Sequence, residues 1–530
     1  MQASMHLFFF FFFFFSLFFT AIHSSSSTTT TMITTNLSSC LVSHDIHNFS
    51  IPSSSSYSTL LNFSIQNLRF AVPSAPKPAA IILPSSLSEL QNAIFCIRND
   101  SLVIRVRSGG HSYEGLSYTA GYHNPFAVID LMNLHQVRVD PDEPVAWVES
   151  GATLGEVYYA AAESNRSLAF SAGSCSTIGV GGHISGGGFG LLSRKYGLAA
   201  DNVLDAVLID SEGRVHNRAS MGEDVFWALR GGGGGSWGVV YSWKLRLVPV
   251  PERVTMFVIS RPGTSRFVAE LVHKWQYVGP RLPDEFYLST TVSGTLASFT
   301  GLFLGPKTRA LSMMTQRFPE LGLVDSECVE LSWVDSAAQF AGLDSAAELT
   351  DRVSKGKGYF KAKSDYVSAP ISKLDLISVV DWIANGSASY IILDPYGGAM
   401  GRIGSGEIAF PHRAGNLYAI QYMVDWTRAE NNGTAEGYVA RLRGFYNFMG
   451  PFVSKHPRAA YVNYVDLDLG TNNWTEGIGG SPEAVSHARV WGEKYFLQNY
   501  DRLVRAKSRI DPTNVFRNEQ SIPPLPKFWA

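Results

Sequence analysis

Two stretches carry more glycine than a helix or a strand tolerates, and each holds one nucleophilic side chain. The first runs Ser108-Gly109-Gly110-His111-Ser112-Tyr113-Glu114-Gly115. The second runs Gly173-Ser174-Cys175-Ser176-Thr177-Ile178-Gly179-Val180-Gly181-Gly182-His183. Glycine in a regular element costs roughly 0.5–1 kcal/mol relative to alanine, so such runs mark places where backbone approaches something closely. Unhindered N–H groups in such loops can cradle an anion such as a pyrophosphate. Ser108, Gly109, Gly110, Ser112, Ser174, Thr177, Gly179, Gly181 and Gly182 are therefore candidate ligand-binding positions around His111 and Cys175.

The elements around these loops alternate. Ala79–Leu83 reads as a strand, and Ser86–Arg98 as a helix opened by the capping pattern Ser86-Leu87-Ser88-Glu89. Leu102–Val106 is a strand running straight into His111, followed by strands at 126–131 and 145–150 and a helix at Thr153–Asn165. Strand–helix–strand order of this kind indicates an α/β unit. A strand at 205–210, a short helix at 224–230 and a strand-like run at 237–250 lead to Pro249 and Pro251, where the first domain closes. Strands at 285–292, 298–304, 390–393 and 417–424 alternate with helices such as Ala310–Phe318, which fits an antiparallel sheet covered by helices. Ala488–Lys507 reads as one helix rich in Arg, Lys and Tyr. Gly233, Gly235 and Gly238 match a dinucleotide-binding spacing, but a strand pattern follows where a helix is required, so a nicotinamide site is disfavoured.

Length and charge bound the function. A chain of 530 residues with 45% apolar content can bury more than one core, and a net charge of −2 gives no basic footprint for nucleic acid. The near-pure Phe run Leu7–Phe19 is shorter than the ~20 residues a membrane span needs and reads as a secretory signal, with residues 1–24 removed. The mature chain then has no membrane span. Glycosylation sequons at Asn36, Asn48, Asn62, Asn99, Asn165, Asn385, Asn432 and Asn473 agree with export. The 4 cysteines fit an oxidising compartment, and no Cys/His grouping has metal-ligand spacing. Cys328 reads as a buried free thiol.

The two glycine-rich segments, with Tyr461-Val462-Asn463-Tyr464 and the closing run Ile510–Leu525, closely resemble the plant berberine bridge enzyme-like family of FAD-linked oxidoreductases. The resemblance extends from Cys40 to Leu525. It implies an α+β fold: a two-part FAD-binding domain of the vanillyl-alcohol-oxidase (PCMH) type and a substrate domain built on an antiparallel sheet covered by helices. The expected divisions are an N-terminal segment at 25–72, the FAD domain at 73–250, the substrate domain at 251–465 and a segment at 466–530 returning to the FAD domain. It also implies bicovalent FAD on His111 and Cys175, a Cys40–Cys96 disulfide, and a catalytic set of Tyr464 as base with Tyr113 and Gln421 beside it. Ile178 stands where residue bulk governs access of oxygen to the flavin, and its size implies dehydrogenase-like behaviour.

The chain departs from family patterns at several places. Ala419 stands where monolignol-oxidising members carry a lysine and cannabinoid-forming members an acid, Phe189 stands for a tyrosine, and Ser112 for a frequent aspartate. A free tyrosine titrates near about 10, so Tyr464 needs a nearby cation or strong donor to work as a base. The expected reaction is oxidation of an alcohol, a monolignol-like allylic alcohol or a carbohydrate, by hydride transfer to FAD. Oxygen or a quinone would be the acceptor. Oxidative cyclisation of an alkaloid or other specialised metabolite, and a catalytically idle flavin-carrying wall glycoprotein, stand as alternatives. The expected partners are small molecules alone, with the protein a monomer exported to the wall, vacuole or endoplasmic reticulum.

Overall fold

The computed structural model describes residues 35–121, 125–354, 356–386, 389–427, 432–472 and 480–525. The expected signal segment, Asn473 and the side chain of Asn432 lie outside the described residues. Strand Val103–Arg107 pairs in parallel with Phe126–Asp130, within a 4-stranded sheet that also holds Ile81–Ile82 and Phe49–Ser50. A 5-stranded antiparallel sheet follows in the order Val137–Val139, Val145–Glu149, Val239–Arg246, Val203–Ile209, Val215–His216. The Cys40–Cys96 disulfide ties a helix covering 35–43 to the helix Leu87–Asn99.

A third, 7-stranded antiparallel sheet has the order Val329–Leu331, Val254–Pro262, Leu296–Phe303, Phe286–Ser293, Ser389–Pro395, Tyr418–Trp426, Tyr359–Val367. Period-2 alternation gives it two different faces. Phe286, Leu288, Val292, Ile391, Leu393, Ile420 and Tyr422 pack with Val272 and Trp275 of helix Ser265–Val278 and Val379 and Ile383 of helix Lys373–Ala384. Tyr287, Ser289, Thr291, Ile392, Asp394 and Gln421 fall on the opposite face and line a cavity shared with the His111 and Cys175 loops. The fold is the expected α+β arrangement, and among the described residues no helix is long and apolar enough to cross a membrane.

Local signals account for most elements. Ser86 caps its helix by accepting from Glu89 N at 3.2 Å, although the Glu89 carboxylate reaches back to Ser85 N rather than to Ser86 N. Thr153 and Glu156 complete a reciprocal capping box at the start of Leu154–Ser164. The expected single helix at Ala488–Lys507 is corrected to two, Pro482–Phe496 and Tyr500–Ile510. Leu497 takes a left-handed backbone (φ 47°) at the break, and Asn499 Nδ2 donates to Ser405 O at 2.7 Å, pulling the chain out of helix. Gly492 permits the fold-back: a Cβ there would lie 2.2 Å from the Tyr500 ring.

Buried charge joins the two halves. Lys361 and Lys363, both on Tyr359–Val367, sit among Glu114, Asp466 and Asp468. Lys361 Nζ bonds Glu114 and lies 2.8 Å from Asp466; Lys363 Nζ lies 2.6 Å from Asp466 and 2.9 Å from Asp468. Burial opposes the charge on Lys361, but Glu114, Asp466 and Asp468 outweigh it and hold its pKa above the usual lysine value. Removing Lys361 leaves the buried Glu114 without its nearest cation and Asp466 with Lys363 alone, and breaking a buried pair in this way costs about 3–5 kcal/mol in comparable networks. Lys361→Met is therefore expected to lower the thermal midpoint strongly, and Glu114→Gln in the same chain to recover part of the loss in a calorimetric scan.

Candidate active site

The His111 loop begins where strand Val103–Arg107 is pinned. The Arg107 guanidinium, fully buried, bonds Asp130 at 2.8 Å and donates to the carbonyls of Leu60 and Leu61. The chain then turns through Gly110 at φ +70°, where a Cβ would fall 1.9 Å from Ser64 O. His111 Nε2 lies 3.0 Å from Thr177 Oγ1. Burial pushes the imidazole down to about 4, with a hydrogen bond to the Thr177 backbone opposing and the Lys357 charge adding to the shift. The ring is thus neutral at neutral pH, and in the tautomer whose Nε2–H donates to Thr177, Nδ1 keeps a nucleophilic lone pair.

The second loop is built against the first. A Cβ at Gly109 would meet Gly179 N at 2.3 Å, and one at Gly179 would meet Ser108 Oγ at 2.0 Å. Ser108 in turn donates to Ser150 O at 2.6 Å. Cys175 Sγ lies 3.7 Å from Thr177 Oγ1, so one hydroxyl stands between both nucleophiles. Ser108, Gly109, Gly110, His111, Ser112, Ser174, Cys175, Ile178, Gly179, Gly181 and Gly182 all line one cavity of about 880 Å³. Thr177 acts on it only through the two side chains it bonds. Ser112 Oγ accepts from Leu116 N at 3.0 Å, closing the turn that carries Tyr113. Gly233 and Gly235 line the same cavity and are followed by strand Val239–Arg246.

Facing these loops, Gln421 Nε2 donates to Tyr113 Oη at 2.7 Å, and the Tyr113 ring stacks on Tyr464 with centroids 5.4 Å apart. The three expected catalytic side chains are therefore brought together at the cavity wall. Burial pushes the Tyr113 hydroxyl up, partly countered by the Gln421 hydrogen bond. It pushes Tyr464 well up, and the charge of Asp394 adds to the effect. Position 419 supplies no cation, since Ala419 is a buried methyl. Both hydroxyls are held in their protonated form.

Sequence reasoning missed several lining residues. Tyr461 Oη accepts from Gly188 N and Phe189 N at 3.0 and 3.1 Å, and Asn463 Nδ2 donates to His183 O and Tyr461 Oη, both at 3.0 Å. Phe189 stacks on Tyr396 at 5.4 Å. Asp394 accepts from the Tyr287 hydroxyl at 2.6 Å. Its signal was available: a single carboxylate at the end of the apolar run Tyr390-Ile391-Ile392-Leu393.

Known proteins share this sequence and fold. The family model for an FAD binding domain matches residues 78–218, and that for berberine and berberine-like proteins matches 460–523. Berberine bridge enzyme-like D-2 of Nicotiana tabacum is 52% identical over 516 residues, covering 92% of this chain and 91% of its own length. The chain belongs to the berberine bridge enzyme-like family. Berberine bridge enzyme from Eschscholzia californica superimposes with a TM-score of 0.89 at 47% identity, covering 93% of this chain and 100% of its own. Phl p 4, a grass pollen allergen with glucose dehydrogenase activity, does so with a TM-score of 0.88 at 42% identity, covering 93% and 100%. This family member is an FAD-dependent oxidoreductase, and its residues fit that cofactor. Gly182 has no atom within 4 Å of where a Cβ would stand, and Gly234 has only Ser185 within that range, at 3.6 Å and beyond, so open backbone faces the cavity.

Because Gly109 and Gly179 meet backbone to backbone, Gly109→Ala must part the two loops. It is expected to cost at least about 1–3 kcal/mol and to lower flavin content, read as visible absorbance relative to protein absorbance.

Proposed function

We propose that this family member is an exported, glycosylated flavoenzyme that oxidises a small-molecule alcohol, with FAD held covalently by both His111 and Cys175. The observation that carries the reading is the position of these two side chains. Both line one cavity, both bond the Thr177 hydroxyl, and the Tyr113–Gln421–Tyr464 group faces them across it. His111 would act as a neutral imidazole nucleophile at Nδ1, and Cys175, on the exposed surface of the cavity, as the thiol partner. FAD, when bound, supplies the acceptor for a hydride and its electron pair.

The chain's own residues do the rest. The Gly109–Gly179 contact fixes the spacing of the two attachment loops, and the Gln421–Tyr113 bond orients a hydroxyl donor toward the substrate oxygen. Phe189 and Tyr287 present aromatic rings to that end of the cavity, with Tyr396 stacked on Phe189. A neutral Gln421 and Ala419 favour alcohol oxidation over the oxidative cyclisation of an alkaloid, which leans on a carboxylate there. The relative with glucose dehydrogenase activity supports an alcohol donor. Ile178 lines the cavity at the Cys175 loop, where its bulk would narrow a route for dioxygen and so favour a quinone-like acceptor. Asn36, Asn48, Asn62, Asn99, Asn165 and Asn385 are all exposed, which supports glycosylation during export. A monomer is the reading that asks for no further surface.

Acid precipitation of the purified protein is expected to give a yellow pellet whose flavin peptides contain both His111 and Cys175. H111A and C175A should each retain flavin through the remaining bond, and the double variant should release it. Flavin freed from the wild type by acid refutes the reading. In stopped flow, I178V is expected to speed reoxidation by oxygen; equal rates would remove Ile178 from the acceptor route.

A further inference from the structure

The cavity holds one carboxylate that the foregoing account leaves unused. Asp394 lies near the end of strand Ser389–Pro395, on the sheet face that looks into the cavity, and is 8% exposed. The Tyr287 hydroxyl donates to its Oδ1 at 2.6 Å. The ladder places Ala419 directly opposite, so the neighbouring strand offers a methyl where a cation could have stood. Two places further along the same face, Ile392 lies opposite Gln421, which is neutral and engaged with Tyr113. The titratable groups that feel its charge are tyrosines: Tyr287 from its own sheet, Tyr396 just beyond its strand, and Tyr461 and Tyr464 from the C-terminal segment. Among the described residues no lysine, arginine or histidine forms an ion pair with Asp394. Burial pushes its carboxyl up to about 6, against the Tyr287 hydrogen bond.

An ionised carboxylate buried without a cation is costly, and such groups gather at reactive sites. A base works best when its pKa lies near the working pH. Asp394 meets that condition, whereas Tyr113 and Tyr464 are held protonated by burial. We infer that Asp394 is the proton acceptor in substrate oxidation, with Tyr287 holding Oδ1 and Oδ2 taking the proton. The inference rests on the alcohol-oxidation reading. In the step, the substrate O–H bond breaks and its proton passes to Asp394, giving a carboxylic acid. Bound FAD would supply the acceptor for the hydrogen and electron pair that leave the carbinol C–H bond, so that loss of the proton to Asp394 and of hydride together turns the carbinol into a carbonyl. The acid then returns its proton to water, and a quinone or oxygen acceptor would take up the two electrons with two protons to complete the cycle. Tyr113, bonded by Gln421, and Tyr464 serve as hydrogen-bonding and stacking groups.

Asp394→Asn keeps the size of the side chain and an acceptor for Tyr287. It is expected to lower kcat by roughly 10²–10⁴-fold, the usual worth of a positioned base, while retaining acid-stable flavin. Wild-type kcat/KM should rise with pH through an ionisation near about 6, and D394N should lose that limb. Ala419→Lys, which sets a cation across the ladder from the carboxylate, should move the limb to lower pH.

A readout independent of turnover comes from stability. The folded pKa lies above the unfolded value of 3.8, so the native state holds a proton that the unfolded chain releases between these values. Stability from this group is present below that window and lost as pH rises through it. D394N should therefore melt above wild type at about pH 7.5 and converge with it at about pH 4, whereas a carboxylate needed only for folding would make D394N the less stable protein at both. Acid-labile flavin in the wild type would defeat the underlying flavin reading, and no turnover with any alcohol would defeat the alcohol reading. Intact flavin and turnover with an unchanged pH limb in D394N, or a rise in KM alone, would overturn the Asp394 assignment by itself.

Discussion

Four buried charges and the partly exposed Asp468 hold the site together. Lys361 and Lys363 project from one strand of the large sheet into carboxylates from two distant segments: Glu114, three residues after His111, and Asp466 and Asp468, just after Tyr464. The flavin loop, the substrate sheet and the C-terminal segment thereby meet at one cluster. Charges out of water are tolerated only when matched by near-ideal partners, so the three segments have little freedom to slide. That fixed relation sets Tyr113 against Tyr464 and Gln421. Hydrophobic packing drives association of the halves, but it is non-directional and would not select this register.

Close backbone approach does the corresponding work on the flavin side. Gly109 and Gly179 touch where any side chain would collide, and Thr177 then lies within reach of both His111 and Cys175. Two nucleophiles far apart in the chain become neighbours of one hydroxyl. Burial keeps His111 neutral there, a state the isolated residue would only partly occupy near its ordinary pKa. Across the cavity, the alternation of the sheet assigns apolar side chains to the helix-covered face and leaves Ser289, Thr291, Asp394 and Gln421 for the other.

Much of this was legible where the signal is local. Ser86 caps its helix as its spacing indicates, a helix follows Thr153, and the Gly238 run leads into a strand, while the Cys40–Cys96 pair is the one the family resemblance implies. The break at Leu497 was not legible: residues 488–507 carry helical periodicity throughout, and the interruption comes from Asn499 bonding the loop at 405–409 and from Gly492 admitting Tyr500. Asp394 shows in the sequence as one carboxylate ending an apolar run, but only the fold reveals that it is buried, because a carboxylate near a strand end is ordinarily solvated.

The sequence by itself determined the chemistry on offer: two nucleophiles in glycine-rich loops, the tyrosine-rich closing motif, the pattern of strands and helices, and the family these motifs mark. Those are properties of residue type and short spacing, which a linear chain displays directly. Tertiary structure alone decided which groups share one cavity and how each titrates there. It set Ala419 opposite Asp394, left that carboxylate without a cation, and gave Lys361 three acidic neighbours. Desolvation and pairing depend on what surrounds a group in three dimensions, and the residues that surround these two lie up to hundreds of positions away in the chain.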